Sequence, residues 1–379
     1  MILRPYQSEA LASVHNFMCT REENPCVVLP TGSGKSVVMA GLIRFWQDSS
    51  PWVRGCVLAH RQELVEQNAS KLQANMMLSG DSQIGIFAAG LKRRDYDASI
   101  TFASIDSIYR RSGDFVPFDF LFVDEAQHIP PSGEGKYRTF INGCLRFNPK
   151  LKVVGWTATP FRMGCGSICH KDHILNEVCY EAKIIDLIDQ GFLCKLRSKV
   201  GEAEYDLKEI KRPLKSDYTK KSLGEVASNF KTIKAAVREA VIILNREERR
   251  SIIFFCISLE HCKQVSDELY KNGIFAPTVT SKTDHVMRKR YLSGLRDGKI
   301  RAICNVGVLT EGFDAPCIDA IVLLRPTLSA GLFAQMVGRG LRPNKNKKDC
   351  LVLDFAGCID EHGPIDLIGL GNQFTVMAT

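Results

Sequence analysis

Short apolar runs alternate with amphipathic stretches along most of the chain. In the first half, each apolar run is followed by a polar turn and then by a stretch whose apolar residues recur at helical spacing. Strands that alternate with helices favour a parallel sheet with helices on both faces. The predicted strands cover 26–29, 55–59, 100–103, 118–123 and 151–156, and the predicted helices cover 37–46 and 62–72.

This rhythm breaks over 164–230, where lysines and Pro213 replace long apolar runs, and then it resumes. The pattern therefore predicts an α/β fold of two parallel-sheet lobes, over 1–163 and 231–358. An irregular connector lies between them over 164–230, and a tail follows over 359–379. The predicted elements of the second half are strands over 251–257, 300–306, 319–324 and 350–355, a helix over 260–270, and a helix with Ile233, Val237 and Val241 on one face.

Composition changes this picture little. The 379 residues are 45% hydrophobic and 24% charged, which is ordinary for globular domains, and the net charge is +8. A mildly basic chain is compatible with nucleic acid but does not by itself indicate it. The fourteen cysteines form no C-x-x-C pair, and several lie in apolar runs, as buried thiols in a reducing compartment do. No apolar run reaches the ~18 residues of a membrane span, and no signal peptide is visible, so we expect a cytoplasmic protein without a membrane partner.

The stretch LPTGSGKS at 29–36 fits a phosphate-binding loop, although Leu29 takes the place of the first glycine. It runs from a predicted strand into a predicted helix, so backbone N–H groups and the helix N-terminus can face a phosphate. Lys35 adds positive charge for the terminal phosphates, and Ser36 offers a hydroxyl to Mg²⁺. The alternative, a Gly-rich turn without a ligand, does not require this strand–loop–helix context. The remaining candidates of the loop are Thr31, Gly32, Ser33 and Gly34.

A second strand ends in two adjacent carboxylates, Asp124 and Glu125. Ligands bind at the carboxyl ends of the strands in an open parallel sheet, so this pair is expected on the same edge as the loop. Asp124 is predicted to hold Mg²⁺ and Glu125 to act as the general base that polarises the attacking water. Paired acids at a strand end are also common as solvated caps, and the loop is what favours the catalytic interpretation.

These stretches resemble conserved motifs of superfamily-two helicases and translocases. LPTGSGKS, VDEAQH at 123–128 and GWTATP at 155–160 are similar to motifs I, II and III. The resemblance implies two RecA-like lobes that bind ATP and Mg²⁺, and the leucine at position 29 is usual in that superfamily. LRPYQ at 3–7 resembles the N-terminal motif whose glutamine reads adenine, which makes Gln7 and Arg4 candidates. A capped N-terminal turn is the alternative.

The second half resembles the remaining motifs. TEGFDAP at 310–316 is similar to motif V, which adds Gly312 and Asp314 as cofactor-binding candidates. QMVGRGLRP at 335–343 is similar to motif VI, which carries arginine fingers. Arg339 and Arg342 occupy the matching positions, and a guanidinium suits the charge that develops on a transferred phosphate. Such a divided site implies closure that depends on the γ-phosphate. A basic solvated helix is the alternative.

Nucleic-acid contacts are expected at loop starts in both halves. The stretch 59–64 resembles motif Ia and the stretch 101–104 resembles the next backbone-contact motif. Hydroxyls and exposed N–H groups there suit phosphate contacts that carry no sequence information. Each hydroxyl could instead be a helix cap. The nucleic-acid and coupling candidates are His60, Arg61, Ser104, Thr157, Thr159, Ser258, Thr310 and Gln335.

A narrower resemblance is to the RadD (YejH) group of bacterial DNA-repair helicase-like ATPases. It involves the stretches 86–94, 321–327, 336–343 and 353–357 and spans about residues 3–357. It implies a monomer acting on single-stranded or branched DNA in repair or recombination, with recombination or single-strand-binding proteins as partners. Members of the group usually continue into a cysteine-rich zinc-binding region, whereas no cysteine follows Cys358 here.

Three other functions stay open at this point. An RNA helicase of the DEAD-box kind is disfavoured by Ala126-Gln127 and by the form of the 3–7 motif. A restriction or anti-phage motor has a similar core, but no nuclease motif is visible. An ATP-gated DNA clamp that does not unwind would carry the same motifs.

A zinc site built from Cys165, Cys169, His170, His173 and Cys179 is disfavoured because the spacing fits no standard zinc motif.

Overall fold

The computed structural model describes residues 2–76, 84–203, 205, 213, 216–227, 230–310 and 315–363. The chain divides into two compact units. The first contains Met1–Pro30 and Gly34–Ala182, and the second contains Thr31–Ser33 and Lys183–Thr379. Each unit has its own sheet, so the prediction of two parallel-sheet lobes is confirmed.

The helices and strands of the described residues are as follows. The helices are α1 (Pro5–Thr20), α2 (Lys35–Ser49), α3 (Gln62–Met76), α4 (Ile105–Ile108), α5 (Lys136–Phe147), α6 (Ile184–Asp189), α7 (Lys220–Ala227), α8 (Phe230–Arg246), α9 (Leu259–Lys271), α10 (His285–Arg296), α11 (Ala330–Val337) and α12 (Cys358–His362). The strands are β1 (Pro25–Val28), β2 (Gly55–Ala59), β3 (Ile84–Ala88), β4 (Arg93–Arg94), β5 (Ile100–Ser104), β6 (Phe120–Asp124), β7 (Lys152–Thr157), β8 (Phe161–Arg162), β9 (Gly166–Ser167), β10 (Glu177–Glu181), β11 (Leu196–Val200), β12 (Ile252–Phe255), β13 (Thr278–Val279), β14 (Ala302–Asn305), β15 (Ala320–Leu323) and β16 (Cys350–Asp354).

The first sheet has the order β10-β1-β7-β6-β2-β5-β3-β4. Its neighbours run parallel except β3 and β4, which form an antiparallel hairpin. Strands β1, β2, β5 and β6 are buried throughout because helices cover both faces, which is why they appear in the sequence as continuous apolar runs. This arrangement brings the carboxyl ends of β1, β6 and β7 side by side.

The second sheet has the order β11-β16-β15-β12-β14-β13, and its neighbouring strands run parallel. Helix α8 packs its predicted apolar face into this unit, since Ile233 and Val237 are fully buried and Val241 nearly so. Among the described residues, no helix is long and apolar enough to cross a bilayer.

The segment predicted as an irregular connector, 164–230, contributes a strand to each sheet. Strand β10 pairs with β1 at one edge of the first sheet, and β11 pairs with β16 at one edge of the second. An edge strand has a neighbour on one side only, so its residues stay partly exposed and form no long apolar run. The division between the two units falls after Ala182, inside the predicted connector.

Candidate nucleotide site and nucleic-acid cleft

The phosphate loop follows β1 directly. Leu29 is fully buried, and its N–H donates to the Thr157 carbonyl (2.9 Å), so this residue continues the strand. The left-handed conformations fall on Gly32 (φ +87°) and Gly34 (φ +92°), which a side chain would strain. A leucine at position 29 is therefore compatible with a phosphate-binding loop, because the two left-handed positions of the turn are both occupied by glycine.

Helix α2 begins at Lys35, so the end of the loop is also a helix N-terminus. The Val37 N–H donates to the Gly34 carbonyl (2.8 Å) and closes the first turn. Lys35 Nζ donates to the Leu29 carbonyl (3.2 Å), which folds the lysine back across the loop. Ser36 lies beside it in the first turn of the helix. The structure places both residues at the start of this helix, and their roles toward phosphate and Mg²⁺ stay predictions.

The paired acids end β6, as the sequence predicts. Asp124 is buried, and its Oδ2 accepts a hydrogen bond from Asn68 Nδ2 (3.0 Å) on α3. Burial raises the pKa of Asp124, and the Glu125 carboxylate raises it further. Lys35 opposes that rise most strongly among the neighbouring groups, because its positive charge stabilises the carboxylate. Asn68 was not predicted, since an amide in the middle of a helix gives no sequence signal.

Glu125 is held in place through a hydrogen-bonded chain. It is nearly buried and has a left-handed backbone (φ +54°), an uncommon conformation for a residue with a side chain. Gln127 Nε2 donates to Glu125 Oε2 (2.9 Å), and Thr157 Oγ1 donates to Gln127 Oε1 (2.6 Å). The Thr159 N–H in turn donates to Thr157 Oγ1 (3.0 Å). The predicted coupling residues Thr157 and Thr159 thus reach the predicted base through Gln127, which the sequence did not single out.

The donor set fits Mg²⁺. Asp124 offers a carboxylate and Ser36 a hydroxyl, and Mg²⁺ is usually bound by one or two carboxylates together with nucleotide phosphates and water. Among the described residues, no group of three or more His, Cys, Asp or Glu could hold a metal by itself. The five-residue zinc alternative near 165–179 therefore gains no support, and Mg²⁺ binding with a nucleotide needs no such group.

Gln7 forms the helix cap that was the alternative interpretation of the 3–7 motif, and adenine recognition stays a prediction. Its Oε1 accepts from the Arg4 N–H (3.0 Å), which forms a capping box at the start of α1, and its Nε2 donates to the Tyr6 hydroxyl (3.4 Å). A Cβ placed on Gly34 would lie 2.7 Å from Gln7 Nε2. The amide therefore caps a helix and also lies against the phosphate loop, where a nucleotide-recognition residue is expected.

The motif VI residues of the second unit lie after α11. Arg339 is buried, and its Nη2 donates to the Thr310 carbonyl (2.7 Å), while its Nε donates to the Gln335 carbonyl (3.4 Å). Arg342 is half-buried and so the more accessible of the two guanidinium groups. Lys347 Nζ donates to the carbonyls of Gly340 (2.6 Å) and Arg342 (2.9 Å), which fixes the turn that carries both arginines. The cofactor-binding candidates Gly312 and Asp314 lie outside the described residues.

The nucleic-acid candidates of the first lobe share one open cleft. His60, Arg61 and Ser104 line a cleft of about 540 Å³ next to α3 and α4. Three guanidinium groups lie along it, from Arg61, Arg94 and Arg111. The structure thus brings residues from two separate motifs into one cleft, while their contacts with nucleic acid stay predictions.

Ser258 has a demonstrated structural role. Its side chain accepts from the His261 N–H (3.1 Å) and caps α9, which is the alternative weighed for each of the predicted hydroxyls. A nucleic-acid contact at Ser258 stays a prediction. Thr310 is buried, with its hydroxyl 3.5 Å from the Gly307 carbonyl.

Comparison with known families matches both lobes. Residues 1–162 match the family described as type III restriction enzyme, res subunit (ResIII), and residues 232–344 match the helicase conserved C-terminal domain. The chain is 27% identical to the ATP-dependent helicase IRC3 of Saccharomyces cerevisiae over 94% of its own length and 52% of that protein. It is 32% identical to the mitochondrial ATP-dependent helicase irc3 of Schizosaccharomyces pombe over 93% of its own length and 57% of that protein. Both helicase assignments are provisional, and the chain spans about half the length of these relatives.

Solved structures show the same fold. An HsdR subunit fragment assigned to a type I restriction enzyme of Vibrio vulnificus YJ016 superposes with a TM-score of 0.71, at 22% identity, over 97% of this chain and 67% of that one. Dbp5 of Saccharomyces cerevisiae bound to RNA and ADP BeF3 superposes with a TM-score of 0.64, at 12% identity, over 95% of this chain and 87% of that one. These structures share the fold of two RecA-like lobes. The ResIII and helicase C-terminal matches, which together cover most of the chain, identify it as a superfamily-two helicase core of the helicase ATPase class.

Proposed function

We propose that this protein hydrolyses ATP and uses the cycle to move along or remodel DNA. The observation that carries the proposal is the hydrogen-bonded chain from Thr157 through Gln127 to Glu125, beside Asp124 and the phosphate loop. It holds a carboxylate ready to orient water next to a loop that can bind phosphate. The relatives whose names describe ATP-dependent helicases support the same activity.

In this proposal, each candidate site residue of the first lobe has a chemical role in ATP hydrolysis. The loop N–H groups and Lys35 bind the phosphates, while Gln7 contacts the adenine side. Bound with the nucleotide, Mg²⁺ would neutralise charge on the phosphates and would be held by Ser36 and Asp124. Glu125 accepts a proton from the attacking water, and Gln127 keeps its carboxylate oriented for that transfer. Because Thr157 ends β7 and is hydrogen-bonded to both Gln127 and Thr159, a shift of Glu125 would also move the end of this strand.

DNA is favoured over RNA as the polymer. The tail of the acidic motif, Ala126-Gln127, and the 3–7 stretch differ from the DEAD-box form. Relatives also include the endonuclease subunit of the Escherichia coli type I restriction enzyme EcoKI, 25% identical over 97% of this chain and 35% of that protein. The RadD resemblance adds repair or recombination as the setting, with a monomeric cytoplasmic enzyme and recombination or single-strand-binding proteins as partners.

The test is the steady-state ATPase rate with no nucleic acid, single-stranded DNA, duplex DNA, forked DNA and single-stranded RNA. Lys35→Ala serves as the blank, because it removes the charge that binds the terminal phosphates. We expect stimulation by DNA, greatest with single-stranded or forked DNA. Stimulation mainly by RNA would move the protein to RNA remodelling, and a rate equal to the blank under every condition would reject the ATPase proposal.

A restriction or anti-phage motor is the second candidate, because residues 1–162 match ResIII and the HsdR fragment shares the fold. As such a motor, the protein would move along duplex DNA without separating its strands. Displacement of a triplex-forming strand from long duplex DNA, without unwinding of a fork, would favour this candidate over a repair helicase.

A further inference from the structure

The β3–β4 hairpin places two adjacent arginines at the edge of the first sheet. Strand β4 consists of Arg93 and Arg94, and its antiparallel register pairs Arg94 with Phe87 and Arg93 with Ala88. Successive side chains of a strand point to opposite faces. The two arginines therefore carry the same charge but face different surroundings.

Their surroundings differ in charge. Arg93 forms an ion pair with Asp95, so its charge is locally balanced. Arg94 lines the cleft that contains His60, Arg61 and Ser104. Within the ranges that the structure describes, Arg94 is exposed and its guanidinium forms no hydrogen bond or ion pair.

The hairpin holds its position through several contacts. The Ile86 N–H donates to Asp95 Oδ2 (2.9 Å), and the Asp95 N–H donates to the Ile86 carbonyl (3.1 Å). The Ala89 N–H donates to Ser107 Oγ (2.9 Å) on α4. A Cβ on Gly90 would lie 1.7 Å from Gln62 Oε1, so the hairpin lies directly against the first turn of α3. The backbone at Arg94 is therefore held beside the starts of α3 and α4, which directly follow the motif residues Arg61 and Ser104.

The residues that line the cleft include three arginines and only two carboxylates, Glu63 and Asp106. Asp106 on its wall pairs with Lys136 (2.8 Å), and Arg111 pairs with Asp114 (3.0 Å). Glu63 is the other acidic residue among those lining the cleft. An unbalanced guanidinium at the rim of such a cleft suits a phosphodiester, because arginine offers several donors to an anionic oxygen.

We propose that Arg94 binds a backbone phosphate of the nucleic-acid strand held in this cleft. The proposal rests on the proposed function, since it assumes that the cleft receives nucleic acid. It adds a contact from outside the helicase motifs, carried by a hairpin rather than by a strand end. The contact is independent of base sequence, so it raises affinity for every sequence by about the same factor.

The experiment compares Arg94→Ala with Arg93→Ala, which removes the same charge from the other face of the same strand. Binding of a fluorescently labelled oligo(dT) to the whole protein is measured by anisotropy at several salt concentrations. We expect Arg94→Ala to weaken binding roughly fivefold or more at ~0.1 M salt and to reduce the slope of log K against log salt by about 0.7. The affinity of Arg93→Ala for oligo(dT) should stay within about twofold of the wild-type affinity. Arg94→Lys keeps the positive charge and should bind nearly as tightly as the wild type.

The controls separate this proposal from the proposed function. Circular dichroism checks folding, and the ATPase rate without nucleic acid should be the same in the wild type and both alanine variants. If the wild type binds oligo(dT) and Arg94→Ala binds equally well, or if both alanine variants lose the same affinity, the assignment of Arg94 is wrong while the proposed function stands. If the wild type binds no nucleic acid and none stimulates its ATPase, both proposals fail together.

Discussion

At the scale of single residues, the candidate base is defined by its neighbours as much as by its own chemistry. Glu125 combines a left-handed backbone with a hydrogen bond from Gln127, whose amide is oriented by Thr157. An amide that accepts from a hydroxyl with its oxygen must present its nitrogen to the carboxylate. This hydrogen-bonded chain therefore fixes Oε2 as the oxygen of Glu125 that the Gln127 amide engages.

Glu125→Gln should keep ATP binding and lose turnover. An amide of the same shape cannot accept the proton of the attacking water, so we expect a rate loss of roughly a hundredfold or more. ATPase assays and binding of a fluorescent ATP analogue measure the two effects separately. Glu134→Gln, the same change at an exposed position, is the matched control and should retain the wild-type rate. Full turnover in Glu125→Gln would assign the base to another group.

His261 in the second unit should remain neutral at pH values well below the ordinary pKa of histidine, about 6.5. It is almost fully buried, accepts the Ile257 N–H (3.1 Å) at Nδ1 and contacts the Tyr205 hydroxyl (3.0 Å) at Nε2. Burial lowers the pKa of His261 to about 4. The unfolded chain binds a proton near pH 6.5 and the folded chain does not, so this group costs stability as the pH falls from about 6.5 to about 4, by roughly 3 kcal/mol in all.

The measurement is an NMR titration of the His261 imidazole in the folded protein. We expect a midpoint near pH 4 or loss of the native signal before it is reached. His285, which begins the exposed helix α10, provides the comparison in the same spectra. A His261 midpoint near 6.5 would contradict the account of its burial.

At the scale of elements, the close pairing of β2 with β6 depends on a glycine. Gly55 pairs with Phe120, and a Cβ at Gly55 would lie 2.0 Å from Phe120 Cζ. Gly55→Ala should therefore cost about 3 kcal/mol, because the ring has no free space in a buried sheet. Gly224→Ala in α7, where a Cβ meets nothing within 4 Å, should instead be neutral or stabilising by up to ~1 kcal/mol. Urea unfolding of both variants tests the pair, and equal effects would show that Phe120 can move aside.

The turn after α11 gives a second prediction at this scale. Lys347 donates to the Gly340 and Arg342 carbonyls, so Lys347→Met should loosen the turn that carries both motif VI arginines. We expect kcat to fall several-fold with little change in ATP affinity, provided the arginines stabilise the transition state as predicted. Lys345→Met, an exposed lysine in the same turn, should leave kcat unchanged. Equal kcat in the two variants would show that the turn keeps its shape without Lys347.

At the scale of the whole molecule, the sequence is informative where burial is complete and uninformative where it is partial. Continuous apolar runs such as β6 and β12 predict parallel sheets because both faces of each strand are covered. Strands β10 and β11 were not predicted, because they lie at sheet edges and stay partly exposed. Asn68 and Gln127 escaped for a different reason: each acts through a partner that only the tertiary structure brings close.

The division into two units predicts how the molecule unfolds. Each unit has its own sheet and its own apolar core, so calorimetry of the whole protein should resolve two transitions rather than one. Gly55→Ala should lower the Tm of only one of them, by roughly 6–12 °C for a loss of about 3 kcal/mol in a unit of this size.

A non-hydrolysable ATP analogue with Mg²⁺ should raise the Tm of the transition that Gly55→Ala lowers. A ligand that binds only the native state of a unit stabilises that unit. Lys35→Ala, which removes a phosphate-binding charge, should abolish the increase. A single transition shifted as a whole by Gly55→Ala would show that the two cores unfold together. An increase confined to the other transition would place the nucleotide on the second unit and contradict the assignment of Lys35, Asp124 and Glu125 to the nucleotide site.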